Sequence, residues 1–199
     1  MVRGLEIERQ FILKAVSDET LRIATRSRRI RQGYLTRVGP AIRVRHIADK
    51  YVMTVKSGGG FVRREVEFEI TPDVAQGLFD IAGESTIDKT RYDVGGWEID
   101  VFHGRHEGLL VGEVELEREH DPIPPVPEGV EVLRDVTEEL GFHNQFLASL
   151  DAPEARALLT DLRTDPDATL EAVRDHYRDE LPTERRRYVG RSGGSKQVP

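Results

Sequence analysis

The stretch VRREVEFEI, residues 62–70, decides the fold because charged and apolar side chains alternate along it. Its charged positions are Arg63, Glu65, Glu67 and Glu69. Val66 and Phe68 stand between the glutamates. Successive side chains of a β-strand point to opposite faces of a sheet. The stretch therefore predicts a strand with one charged face and one apolar face.

The same alternation recurs on both sides of this stretch. Turn signals such as Gly39-Pro40, Asp49 and Gly95-Gly96 separate the segments, mostly in hairpin order. The predicted strands are 4–14, 28–37, 41–47, 50–57, 62–70, 86–93, 96–103 and 109–118. The first and last strands are acidic and several middle strands are basic, which suggests a site for a polyanion together with a divalent cation.

About eight antiparallel strands with one charged face can close into a barrel. The charged face would then point into a lumen, and helices would cover the apolar outer face, including the lone tryptophan, Trp97. Helices predicted at 17–26, 72–82, 130–141 and 143–149 can supply that cover. We therefore predict an α+β protein, an eight-stranded antiparallel β-barrel with a charged lumen and helices packed outside.

Composition limits the functions open to this chain. The 199 residues carry a net charge of −7, which disfavours a general nucleic-acid binder. The sequence contains no cysteine, so disulfides and thiolate metal sites are excluded and a cytoplasmic setting is expected. We see no signal peptide and no stretch approaching the roughly 20 apolar residues of a membrane span, so no membrane association is expected.

A change in composition near Ala152 predicts two parts. Residues 1–150 form the predicted sheet domain, and residues 151–199 form a helical extension. Amphipathic spacing predicts helices at about 153–163 and 168–180. The basic, Gly/Ser-rich tail after Pro182 is expected to be disordered. Plugging of the lumen, homodimerisation and binding of another protein stay open as roles for the extension.

Acidic residues at alternate strand positions are candidate ligands for Mg²⁺ or Mn²⁺, because these cations prefer oxygen donors. If the first and last strands adjoin, their carboxylates converge and repel one another unless a cation is present. The alternative is a solvated acidic face. The candidate metal ligands are Glu6, Glu8, Asp100, Glu113 and Glu115.

Basic residues form the opposite pole of the predicted lumen. Guanidinium groups bind phosphate bidentately and lysine acts as a point charge, so the group suits a chain of several phosphates. The alternative is a set of cross-strand salt bridges with the glutamates of residues 62–70. The candidate phosphate ligands are Arg43, Arg45, Lys56, Arg63, Lys89 and Arg91.

Several fragments resemble the CYTH superfamily, also called triphosphate tunnel metalloenzymes. They include EIERQF at 6–11, IRVR at 42–45, IDKTRY at 87–92, WEIDVF at 97–102, GEVELE at 112–117 and HNQFLA at 143–148. The resemblance runs from about Leu5 to Leu150. It implies an eight-stranded antiparallel tunnel that binds triphosphate compounds with a divalent metal.

The resemblance also implies roles for individual residues. Glu6, Glu8, Glu113 and Glu115 resemble metal-site residues, with Asp100 as a further acidic member. The five basic residues on strands other than 62–70 resemble phosphate-binding cations, and Lys89 and Arg91 are also catalytic candidates. Arg134 matches a basic position near the tunnel mouth. Nothing is carried over to residues beyond Asp151.

One departure from the family pattern concerns catalysis. The family signature is Glu-x-Glu-x-Lys, in which the lysine is associated with the attacking water, and this chain has Gln10 there. Glutamine can orient water by hydrogen bonding but cannot act as a general base. We expect a metal-dependent hydrolase of a linear triphosphate, most directly inorganic tripolyphosphate. A non-catalytic triphosphate-binding or polyphosphate-binding protein is the main alternative, and an adenylate cyclase of the same superfamily ranks below it.

Overall fold

The computed structural model describes residues 2–37, 39–57 and 62–180, without the side chains of residues 2–6, 57, 62–63 and 178–180. The three glycines at 58–60, between the predicted strands 50–57 and 62–70, and the tail predicted to be disordered lie outside the described residues. Glu6 and Arg63 are described by their backbone alone.

The described chain alternates strands with short helices. The strands are β1 Val2–Val16, β2 Arg26–Tyr34, β3 Ala41–Ile47, β4 Lys50–Ser57, β5 Val62–Ile70, β6 Thr86–Val94, β7 Trp97–Phe102, β8 Leu110–Leu116 and β9 Val130–Asp135. The α-helices are α1 Asp18–Arg22, α2 Pro72–Ala82, α3 Asn144–Leu147, α4 Ala152–Thr164 and α5 Pro166–Glu180. Short 3₁₀ helices cover Gly104–His106 and Leu140–Phe142.

The strands form one antiparallel sheet of nine strands in the order β5-β4-β3-β2-β6-β7-β8-β1-β9. This confirms the α+β class, but the strand number of eight was wrong. The long strand β1 pairs with β8 on one edge, and its second half pairs with β9 on the other edge. The first half of β1 also pairs with β5, with Leu5 opposite Arg64 and Glu6 opposite Arg63.

The ninth strand lies where the sequence analysis predicted the start of a helix. Val130 pairs with Val16, and Val132 pairs with Leu13. These two valines pack on the cluster around Trp97. On the edge opposite β8, the second half of β1 extends beyond its pairing with β5, so pairing this backbone with β9 outweighs local helical spacing. The predicted helix at 130–141 was therefore wrong over Val130–Asp135, and the chain becomes helical only at Leu140.

Local sequence explains where the first two helices begin and end. Ser17 caps α1 by accepting a hydrogen bond from the Thr20 backbone N–H. The predicted helix at 17–26 is shorter because β2 begins at Arg26, where it pairs with β6. Pro72 begins α2, and Gly83 ends it with a φ of 56°, as the pattern at 72–82 predicted. No helix among the described residues is long and apolar enough to cross a membrane.

Trp97 anchors the apolar packing beneath β1, β7 and β8. Its indole is 2% exposed and stacks at a tilt on Phe11, with ring centroids 5.0 Å apart. The indole N–H lies 3.2 Å from each of the carbonyl oxygens of Pro124 and Pro125. The proline-rich bridge therefore covers this residue, whereas the sequence analysis expected a helix; Leu21 of α1 packs on the same cluster.

The C-terminal helices belong to the largest core cluster of the described chain. Leu158 and Leu162 of α4 pack there, together with Val173 of α5. Phe142 and Phe146 from the segment before α4 lie in the same cluster. The expected amphipathic helices are thus present, and their apolar faces pack against the sheet domain.

We expect Gly112→Ala to destabilise the fold, because a Cβ at this position would lie 2.9 Å from the Trp97 ring and 3.3 Å from Leu13. The indole cannot move aside without disturbing the core, so the cost should be about 1–3 kcal/mol in the free energy of unfolding. Urea denaturation measures it. Gly77→Ala is the matched control, since a Cβ there meets nothing within 4 Å. Equal stabilities of the two variants would contradict this account of the core.

Candidate functional site

The charged faces of the strands line a cavity of about 620 Å³. Its cationic lining is Arg28, Arg43, Arg45, Lys50, Lys56, Lys89 and Arg91. Its acidic lining is Glu8, Glu65, Glu67, Glu69, Glu98, Glu113 and Glu115. Its neutral polar lining includes Gln10, Gln32, Tyr34, His143, Asn144 and Gln145. Both signs of charge thus face a single space, as the alternation in the sequence indicated.

Most of the candidate residues from the sequence are brought together here. Those that line the cavity are Glu8, Gln10, Arg43, Arg45, Lys56, Lys89, Arg91, Glu113 and Glu115. Asp100 does not line it but is fully buried behind two of the lining cations. Arg134 lies away from this lining and pairs with Asp167 of α5. The side chains of Glu6 and Arg63 lie outside the described residues, although their backbones are partners in the β1–β5 ladder.

Strand register sets the cations in rows. Arg43 lies between Tyr34 of β2 and Thr54 of β4, and Arg45 lies between Gln32 and Val52. Neighbours directly across an antiparallel ladder share one face, so the polar side chains of these strands point the same way. One of the predicted salt bridges is also present, because Lys56 Nζ lies 3.2 Å from a carboxylate oxygen of Glu65.

Arg91 is the centre of a buried ionic network. Its guanidinium donates to both oxygens of Asp100, at 2.7 Å from Nε and 2.6 Å from Nη2. The same group also pairs with Glu98 and Glu113. Burial alone would lower the pKa of Arg91, but the carboxylates of Asp100 and Glu113 outweigh it and hold that pKa well above its ordinary value. Arg91 therefore stays charged.

Asp100 also accepts a hydrogen bond from Lys89. The side chains of Lys89 and Asp100 are 3% and 0% exposed, so neither charge is solvated by bulk water. A buried carboxylate that serves two cations fixes both of them at the cavity wall. Asp100 thus positions Lys89 and Arg91, whichever ligand the cavity takes.

Glu98 was not among the candidate site residues predicted from the sequence. It lines the cavity and accepts from Arg91. Burial raises the pKa of Glu98 above its ordinary value; Arg91 opposes this shift, while Glu113 and Asp100 add to it. The signal was available, because Glu98 precedes Asp100 by two positions in WEIDVF and therefore lies on the same strand face.

The acidic side of the cavity is built from β1 and β8. Glu8 is the Cα partner of Glu115, and Gln10 is the partner of Glu113. Carboxylates directly opposite each other repel unless a cation lies between or beside them. Among the described residues, no group of three or more His, Asp or Glu side chains is arranged to hold a metal ion by itself. The donor set fits a hard cation that takes one or two carboxylates and completes its shell with water and ligand oxygens.

Gln10 is buried and tied to the segment that follows β9. Its backbone N–H donates to Thr137 Oγ1 at 3.1 Å, and its side-chain Nε2 lies 3.4 Å from the carbonyl oxygen of Phe142. The Thr137 hydroxyl in turn donates to Asp135 at 2.6 Å. The Thr137 contact holds the backbone of Gln10, and the Phe142 contact orients its side-chain amide at the cavity wall.

Sequence analysis also missed other parts of the lining. Arg28, Gln32 and Tyr34 occupy alternate positions of β2, and this period was visible in the sequence. His143, Asn144 and Gln145 gave no such signal, because they lie on an irregular segment whose position depends on distant packing.

The fold and the cavity together define an α+β protein whose antiparallel sheet presents a candidate polyanion site of mixed charge. A comparison with known protein families identifies the family to which this α+β protein belongs. The CYTH domain model matches residues 4–146, and the chain belongs to this family.

Two relatives bear the description inorganic triphosphatase. One from Nitrosomonas europaea is 35% identical over 153 residues, which cover 72% of this chain and 96% of the relative. One from Acetivibrio thermocellus is 36% identical over 124 residues, covering 59% of this chain and 78% of the relative. A crystal structure of the inorganic triphosphatase NE1496 aligns with a TM-score of 0.52 at 31% identity, covering 76% of this chain and 97% of the other.

We expect Asp135→Asn to destabilise the protein at neutral pH. Burial would raise the pKa of Asp135, but hydrogen bonds from Thr137 and the pairing with Arg9 lower it below its ordinary value of 3.8. A lowered pKa gives stability that is present above the ordinary value and is lost as the pH falls through the lowered one. Urea midpoints of wild type and variant should therefore differ most near pH 7, and the difference should begin to shrink below about pH 4.

The matched control is Asp80→Asn, which removes an exposed carboxylate that accepts from Gln76 on α2. A gap between wild type and Asp135→Asn that stays constant from pH 7 to pH 3 would contradict the assigned ionisation of Asp135.

Proposed function

We propose that this protein hydrolyses a linear triphosphate, most directly inorganic tripolyphosphate, with a divalent cation. One observation carries the proposal: cations from β2, β3, β4 and β6 and carboxylates from β1 and β8 line the same cavity. Membership of the CYTH family and two relatives described as inorganic triphosphatases support the reaction class.

We further propose that β1 to β8 close into the tunnel expected from the sequence, with β9 outside the ring. The pairing of β1 with β5 supports this closure, because those strands stand at opposite ends of the eight-strand series. Closure would screen the cavity from bulk water and strengthen the interactions of its cations with phosphate.

The basic residues would bind the phosphate chain. Arg43 and Arg45 would supply guanidinium forks from β3, and Lys56 would add a point charge from β4. Lys89 and Arg91, held by Asp100, would neutralise charge on the departing phosphate. Phosphoryl transfer asks a protein mainly for such positioning and charge stabilisation.

The divalent cation would be held by Glu8 and Glu115, with Glu113 shared between the cation and Arg91. When bound, Mg²⁺ or Mn²⁺ supplies Lewis-acid polarisation of the phosphate oxygens. Glu6 lies two residues before Glu8 on β1 and stays a candidate ligand. The pairing of Asp100 with Lys89 and Arg91 favours a positioning role for this residue over metal ligation.

Gln10 would orient the attacking water through its amide. It takes up no proton, so the water's protons pass to the phosphate products. The neutral amide also supports the alternative function, a triphosphate-binding or polyphosphate-binding protein without turnover. The cytoplasmic location and a homodimer stay predictions from the sequence.

The direct experiment measures phosphate release from tripolyphosphate with Mg²⁺, with Mn²⁺ and with EDTA. We expect release with metal and its loss on chelation. Two results together would favour the alternative function, a binding protein without turnover: the wild type binds tripolyphosphate in calorimetry without releasing phosphate, and a Gln10→Lys variant gains turnover. Absence of both binding and release would refute the triphosphate site itself.

We expect Arg45→Met to weaken substrate binding, because it removes one cation from the cavity wall. Loss of a charge-assisted contact should raise the KM for tripolyphosphate by about tenfold or more. Steady-state kinetics measure this change. Arg29→Met is the matched control, since Arg29 pairs with Asp88 at an exposed position and is absent from the described cavity lining. Equal KM values for the two variants would contradict a role for Arg45 in substrate binding.

A further inference from the structure

The cavity wall is completed by a segment that is not itself part of the sheet. His143, Asn144 and Gln145 line the cavity, at the junction of the 3₁₀ helix Leu140–Phe142 with α3. On the sheet side, Gln145 donates from Nε2 to the carbonyl and hydroxyl oxygens of Thr36, both at 2.9 Å. The contact of Gln10 Nε2 with the Phe142 carbonyl is a second tether to the sheet.

Helix α5 packs on the opposite side of this segment. The Phe146 ring meets His176 and Tyr177 edge to face, with centroids 5.5 Å apart in each pair. Arg174 forms a bidentate salt bridge with Glu139, in which its Nε donates to Oε2 at 2.6 Å and its Nη2 donates to Oε1. The segment is therefore held between the sheet and a helix that lies beyond the residues matched by the family model.

Gly141 packs directly against Val173 in this interface. A Cβ built on Gly141 would lie 2.2 Å from Val173 Cγ1, so only glycine fits against this valine. The next distances are 3.4 Å to the Val173 carbonyl oxygen and 3.6 Å to its Cβ. Removing the valine methyl groups would therefore make room for an alanine at position 141.

We propose that α5 is a positioning element of the triphosphate site, acting through Val173 and Arg174 on His143, Asn144 and Gln145. This inference rests on the proposed function, because it concerns the same cavity. It assigns to the C-terminal extension a part in ligand binding that the family resemblance leaves without a role. Displacing α5 would shift one wall of the cavity while the strands that carry the cations keep their register.

The test is Gly141→Ala, with tripolyphosphate in the presence of EDTA as the calorimetric probe, so that binding is measured without turnover, well below the unfolding temperature. We expect Kd to rise by about tenfold or more, since a shift of about 1 Å in a binding wall is costly. Hydrogen exchange of residues 139–147 should accelerate in the same variant. The double variant Gly141→Ala/Val173→Ala relieves the clash and should restore both quantities.

Gly77→Ala is the matched control, because it makes the same substitution on α2 where a Cβ meets nothing within 4 Å. It should leave Kd and exchange in 139–147 at the wild-type values. Where Gly141→Ala fails to fold, Arg174→Met supplies a milder release of α5, because the Arg174 side chain is 54% exposed. That variant should change Kd and exchange in the same direction.

Two results would overturn the proposal. Faster exchange with an unchanged Kd would make α5 a structural support only, and failure of the double variant to restore Kd would break the assigned contact. If the wild type binds no tripolyphosphate, the proposed function fails. The exchange of residues 139–147 then still decides whether α5 holds the segment, since acceleration reversed by the double variant supports that link and its absence refutes it.

Discussion

The shared ionic network of Asp100 with Lys89 and Arg91 is the interaction on which this structure depends. Ionised groups are costly to bury unless they are paired and hydrogen-bonded. Asp100 meets this requirement for two cations at once, while Glu98 and Glu113 complete the surroundings of Arg91. Because these charges compensate one another, the sheet can turn its ionic face to the cavity and leave its apolar face for packing beneath helices and the proline-rich bridge.

The regular part of the fold was predictable because strand periodicity is a local property. Alternation along VRREVEFEI and AIRVRHI located β5 and β3, and Pro72 with Gly83 located α2. β9 was not predictable in this way, since VEVLRD becomes a strand only because the second half of β1 offers a backbone edge opposite β8 and beyond β5. The prediction that a helix covers Trp97 was wrong for a similar reason. The carbonyl oxygens of the proline-rich bridge accept the hydrogen bond from the indole N–H without any regular secondary structure.

The candidate site likewise has residues that strand periodicity predicted and residues that it did not. Residues at alternate strand positions, such as Arg43 and Arg45, were found because register alone brings them to the cavity. Asp100 was predicted from the sequence as an acidic member of the site. Its pairing with Lys89 and Arg91 behind the cavity wall was not predicted, because it depends on burial that cannot be read from strand periodicity. His143 to Gln145 were missed because their position follows from the packing of α5, and Gln10 connects with that segment across more than a hundred residues of chain.

The length of β1 has a consequence for how the chain reaches its native state. This strand precedes its partners β8 and β9 by about a hundred residues, so its hydrogen-bonding edges are completed only after most of the polypeptide has been synthesised. Such distant pairing is slow to form, and unsatisfied strand edges invite association between nascent molecules. Any dependence on chaperones during translation would then originate in β1, the same strand that in the mature protein pairs with β5, β8 and β9.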